Sequence, residues 1–180
     1  SPNRFGISLD EFHTFNAIKA AHWPHSMNVA STHDTKRGED VRARINELTE
    51  MPELWSARVR HWKQINVGFK SKCHGIWAPD ANDEYLLYQT LLGAMPFEPE
   101  EYDGFRERIK QYMIKVVREA KEHSSWIEHD EPYERACEAF IDQILEPSAT
   151  NKFWSDFLSF QRDVAAYGIF NSLSQTLLKM

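Results

Sequence analysis

The stretch from residue 26 to residue 48 reads SMNVASTHDTKRGEDVRARINEL. In its first part, Ser26 to Ser31, Met27, Val29 and Ser31 alternate with polar or small neighbours. That period of two predicts a short strand, and no other segment gives as good a strand signal. From Glu39 the period changes. Val41, Ile45 and Leu48 stand at i, i+4 and i+7, which predicts a helix. Between the two lies a polar turn, Thr32-His33-Asp34-Thr35-Lys36-Arg37-Gly38.

On both sides of this unit the sequence reads as helix. Upstream, Ser8-Leu9-Asp10-Glu11 has the form of a capping box, in which the serine caps the amides and the glutamate reaches back. Phe12, Phe15 and Ile18 recur at helical spacing, and Pro24 stops that helix. Downstream, Pro52 opens a helix that buries Leu54 or Trp55, then Val59 and Trp62. Residues 66–82 lack a period and read as a loop. Asn82 or Asp83 is expected to cap a helix through Leu86, Leu87, Thr90 and Leu91 that ends near Gly93 and Pro96. Pro99 opens a long helix with Phe105, Ile109, Tyr112, Val116 and Ala120 on one face. Pro132 opens another with Tyr133, Ala136, Phe140, Ile141 and Ile144. The last stretch, from Asn151, carries Phe153, Phe157, Phe160 and Val164, with Gly168 expected to interrupt it.

The fold class that follows is mainly α, bundle-like, with at most one short strand. The division falls at residue 38: a helix, strand and polar turn over 1–38, and a helical domain over 39–180. A lone strand has no ladder partner for its backbone groups. The final helix has no stop signal before Met180, and the chain starts at Ser1-Pro2-Asn3 without an initiator Met. These features predict a segment of a longer polypeptide.

Composition limits the partners. In 180 residues the net charge is -6, a sign that repels nucleic-acid phosphates. No apolar run approaches the roughly 18 residues needed to span a membrane. Two cysteines without CxxC spacing, Cys73 and Cys137, fit a reducing, cytoplasmic setting.

The turn at His33-Asp34 is the best candidate for chemistry, because a polar turn after a parallel barrel strand is where barrel enzymes place catalytic groups. The competing use is structural: Asp34 or Thr35 caps the helix from Glu39, and His33 packs locally. Lys36 and Arg37 either contact substrate or hold Asp34 ionised, or else form a solvated helix start with Lys36 pairing Asp40. Glu39, Asp40, Arg42 and Arg44 read as a surface ion-pair network. His22 and His25 are spaced HxxH, but Pro24 lies between them and no carboxylate cluster completes a metal site, so neither metal nor cofactor is expected. Cys73 beside His74 reads as a free thiol. Trp55 and Trp62, seven apart, belong to a core face, whereas Trp77 and Trp126 lie in loops, where they pack or offer platforms for a ligand to stack on. Asn171, Ser172 and Gln175 fall on the polar side of the last helix.

Several long segments resemble maltooligosyltrehalose synthase, of the alpha-amylase superfamily. They are Ser31 to Arg44, Asn82 to Ala94, Arg118 to Lys121 with Ser125-Trp126, and Asn171 to Lys179. The resemblance implies a (β/α)8 barrel parent, from which this chain would run from just before barrel strand seven to just before strand eight. It implies an isomerase of trehalose biosynthesis that turns the reducing-end α-1,4 linkage of a maltooligosaccharide into an α,α-1,1 linkage. Such retaining chemistry needs a nucleophile and an acid/base carboxyl about 5–5.5 Å apart. No segment here resembles either. The resemblance assigns Asp34 to a third, catalytic carboxylate that favours the oxocarbenium-like state, and His33 to a substrate hydrogen bond. Its partners would be the maltooligosaccharide and the remainder of the barrel. The alternative is a non-catalytic helical module for docking or glucan capture.

Overall fold

The computed structural model describes residues 6–180, so the chain start at Ser1-Pro2-Asn3 lies outside the described residues. The polypeptide divides into two compact units, one ending at Lys36 and one beginning at Arg37.

The first unit contains α1 (Leu9–His22) and a 3-10 turn, His33–Thr35. The capping box forms as expected: Ser8 Oγ accepts from Glu11 N at 3.2 Å, and Glu11 Oε2 accepts from Ser8 N at 3.0 Å. No residue of α1 is buried, and Leu9, Phe12, Phe15 and Ile18 are exposed. The strand expected over Ser26–Ser31 is absent. Extended backbone becomes a strand only against a ladder partner, and the described residues offer these six none.

The second unit holds α2 (Glu39–Asn46), α3 (Pro52–Asn66), β1 (Ser71–Cys73), β2 (Ile76–Ala78), α4 (Ala81–Ala94), α5 (Tyr102–Ala120), α6 (Glu131–Ile144) and α7 (Lys152–Lys179). The mainly helical class therefore holds, while the strand signal was misplaced. β1 and β2 pair antiparallel within the stretch expected to be a loop, with Ser71 opposite Ala78 and Cys73 opposite Ile76. His74 and Gly75 join them, both at positive φ (52° and 86°), which suits the twist of a two-residue hairpin turn.

The core centres on Trp62, which is fully buried. Tyr88, Phe153, Phe157 and Phe160 surround its ring at centroid distances of 5.5 to 5.8 Å, and Trp55 adds another edge contact. Both tryptophans are core, as their spacing predicted. Removing a ring so placed costs roughly 3–5 kcal/mol. A smaller cluster joins Cys73 and Ala78 of the hairpin to Val117, Tyr133, Ala136 and Cys137. Both thiols are free, and burial pushes each above its ordinary pKa, as expected of inert buried cysteines.

Two helix details differ from expectation. The cap of α4 is Asp80, whose side chain accepts from the amides of Asn82 and Asp83. Asp83 is itself buried in the first turn, where Tyr133 Oη donates to its Oδ2 at 2.6 Å. Gly168 does not interrupt α7, which runs unbroken from Lys152 to Lys179. It lies instead where α7 meets α2: a Cβ there would stand 2.9 Å from Arg44 Cα. Gly93 does the same for α4, since its Cβ would stand 2.6 Å from Val41 Cγ1. The two glycines let α2 lie close to both helices.

Candidate active site

The turn at His33 is built by Thr32. Its Oγ1 accepts from Asp34 N at 3.3 Å, and its carbonyl accepts from Thr35 Oγ1 at 2.6 Å. This local closure fixes a single 3-10 turn and leaves both following side chains outward. His33 Nε2 and Asp34 Oδ1 are 3.3 Å apart, with side chains 90% and 74% exposed. Neither Asp34 nor Thr35 caps α2, as the structural reading of this turn had it. The cap is Gly38, without any side-chain bond. Lys36 closes the turn in the left-handed region, φ 62°.

Arg37, in the second unit, is partly buried. Its Nη2 donates to Thr90 Oγ1 at 3.1 Å, and Thr90 Oγ1 donates to Leu86 O at 2.7 Å. One face of this guanidinium thus serves to anchor the start of the helical unit on α4. The charges on α2 also reach beyond their own helix. Glu39 meets Lys179 at 2.9 Å, Asp40 meets Ser172, and Asn171 meets Glu47, so α2 and α7 are tied by polar pairs. Arg44 donates to Met95 O at 2.8 Å and lies 4.8 Å from the Phe97 ring. Ser172 thus binds α2, and Asn171 binds Glu47, the residue that caps its C-terminal end.

Trp77 and Trp126 are half-exposed. Each has a cation against its ring, Lys72 at 4.9 Å and Arg118 at 5.1 Å. Neither ring is buried in the core.

A polar centre at the junction of α4, α5 and α6 was missed by sequence reasoning. Arg118 holds Glu134 with two bonds of 2.8 and 2.7 Å, and Ser124 Oγ donates to the same carboxylate at 2.6 Å. Arg118 and Ser124 together hold the Glu134 carboxyl below the usual range against its burial. Nearby, His123 Nε2 meets Asp80 Oδ2 at 2.8 Å, and the His123 ring packs on Tyr133 at 4.4 Å. Burial pushes Asp80 up, but the helix amides and His123 outweigh it and hold the carboxyl low. Burial pushes Asp83 up, against the opposing bond from Tyr133. The one available signal was Asp80 itself, a good cap residue directly after Pro79.

No protein-family profile matches the chain. A curated relative, a maltooligosyl trehalose synthase assigned provisionally in Mycobacterium tuberculosis, is 39% identical over 145 residues, which is 81% of this chain and 18% of the relative. A solved glycosyltrehalose synthase is 40% identical with a TM-score of 0.79, over 99% of this chain and 22% of that one. In sequence and in fold, the chain belongs with the maltooligosyltrehalose synthases. A maltooligosyl trehalose synthase from Sulfolobus tokodaii agrees, at 37% identity and TM-score 0.75 over 93% of this chain and 21% of the other. The chain thus spans about a fifth of the length of each synthase it matches. No described helix is long and apolar enough to cross a membrane.

Proposed function

We propose that the chain works as one segment of a longer, cytoplasmic trehalose-forming synthase of the alpha-amylase superfamily, and that it does not turn over substrate alone. The observation that carries this is similarity at 40% identity over 99% of the chain to a protein that it covers by only 22%. The exposed apolar side chains of α1 and of the end of α7 (Phe170, Leu173, Leu177, Leu178) support it, since a longer barrel would cover them.

In the whole enzyme the C1–O4 bond to the reducing-end glucose breaks. The same C1 then bonds to that glucose's anomeric oxygen, whose proton is lost while O4 gains one. Carboxyls outside this chain act as nucleophile and acid/base. Asp34 faces the developing positive charge on the sugar ring. Its attraction grows as the charge grows, so it lowers the barrier rather than tightening ground-state binding. His33 donates a hydrogen bond to the same sugar. Lys36 and Arg37 supply further donors for its hydroxyls. The openness of the His33–Asp34 pair, and its lack of a capping duty on α2, support this reading.

The half-exposed Trp77 and Trp126 favour a second reading, glucan capture by the helical unit without catalysis. A segment swap separates the two. Residues 1–180 replace the matching segment of the solved glycosyltrehalose synthase. The chimera should form trehalose-ended products while the isolated chain should not. A chimera that binds maltooligosaccharide but is inactive would favour capture alone.

A further inference from the structure

α5 is capped at its C-terminal end by Lys121, whose left-handed φ of 59° turns the chain sharply. The next two residues, Glu122 and His123, reach the N-terminal cap of α4. There, a carboxylate oxygen of Asp80, one of Glu122 and an imidazole nitrogen of His123 all lie within 4.8 Å of one another. Glu122 and His123 line a cavity of about 420 Å³, with His74, His129 and Asp130 also on its wall.

The arrangement exceeds what capping a helix requires. Asp80 Oδ1 alone accepts both α4 amides, at 2.9 and 2.8 Å, so Oδ2 is given to His123 Nε2 at 2.8 Å. Tyr133 fixes the His123 ring from one side. Glu122 makes no hydrogen bond or ion pair among the described residues. Asp80, Asp83 and Glu122 crowd together, yet no Lys or Arg among the described residues forms a salt bridge with any of them. Two carboxylates beside an oriented imidazole present three ligand atoms that one cation could share.

We infer that Asp80, Glu122 and His123 bind a divalent transition-metal ion of the zinc type, which clamps the α5–α6 connection onto the start of α4. One imidazole with two carboxylates suits zinc, whereas calcium and magnesium prefer oxygen alone and copper(I) prefers sulfur. The backbone amides on Asp80 Oδ1 and the ring of Tyr133 act as the outer supports that orient two of the ligands. Coordination would replace the direct Asp80–His123 bond with two bonds to the ion. Water would complete the shell from the cavity. This site is independent of the proposed reaction and needs no substrate.

Titration of metal-stripped chain with ZnCl2 in a calorimeter, with thermal unfolding in parallel, tests it. One-to-one binding and a raised Tm are expected, with MgCl2 giving neither. Altering even the outer supports of a metal site costs about 10- to 100-fold in affinity. Loss of a ligand in Glu122→Gln or His123→Asn should therefore weaken zinc at least about 10-fold. Glu122 is exposed, so its variant keeps the fold and remains informative. Failure of the wild type to bind zinc overturns the inference. So does an unchanged affinity in Glu122→Gln, which would assign the zinc to surface histidines instead.

Discussion

Gly168 of α7 stands against the backbone of Arg44 in α2, so closely that a Cβ on the glycine would lie 2.9 Å from Arg44 Cα and 2.7 Å from its Cγ. Backbone cannot retreat as a flexible side chain can. Gly168→Ala should therefore separate the two helices and destabilise the chain by about 1–3 kcal/mol, the usual cost of overpacking. Gly104, in the first turn of α5, has only the Arg108 guanidinium near its missing Cβ, at 3.7 Å. The same substitution there should stabilise by about 0.5–1 kcal/mol, through lower chain entropy in the unfolded state. Chemical denaturation of both variants checks the opposite signs.

Lys70 and Glu84 form a buried pair at 2.9 Å, with side chains 9% and 3% exposed. Glu84 also accepts from Tyr88 Oη at 2.7 Å, which in turn accepts from Asn66 at 2.9 Å. Lys70→Met strands a carboxylate in the core and should cost about 3–5 kcal/mol. Adding Glu84→Gln removes that charge and keeps an acceptor for Tyr88. The double variant should recover most of the loss, and a double-mutant cycle by denaturation measures it.

Glu134 gives a pH signature. Arg118 and Ser124 hold its folded-state pKa below the unfolded value of about 4.3. A depressed carboxyl contributes stability that is complete above the unfolded value. It is lost as pH falls through the folded one. Thermal unfolding from pH 7 to pH 3 should show the wild type losing stability in the acid limb. Glu134→Gln should start lower at neutral pH and fall less.

The helices were legible because their apolar periods are long. Phe153, Phe157, Phe160 and Val164 read as one buried stripe and are one. The hairpin was not, since two three-residue strands are too short to display alternation. Ser26–Ser31 shows the reverse error: alternation was present, but strand formation is decided by a partner that sequence period does not reveal. Gly168 was read by its helix propensity, although tertiary contact with Arg44 decides its role. Thr32 to Asp34 could be picked out as a polar turn because its residues are neighbours. Asp80, Glu122 and His123 could not, because a reversal after α5 brings them together across 43 positions.

Asp34 is proposed to act on the transition state of a trehalose-forming reaction when this segment sits in a complete synthase. The direct test is turnover of the chimera with Asp34→Asn, measured as formation of α,α-1,1-linked product. Asparagine preserves size and hydrogen bonding but not charge, and His33 and Thr32 still support the turn. A kcat lower by about 100-fold or more, with thermal stability unchanged, is the predicted result. A kcat close to that of the unaltered chimera would contradict the assignment and leave residues 31–38 a structural turn.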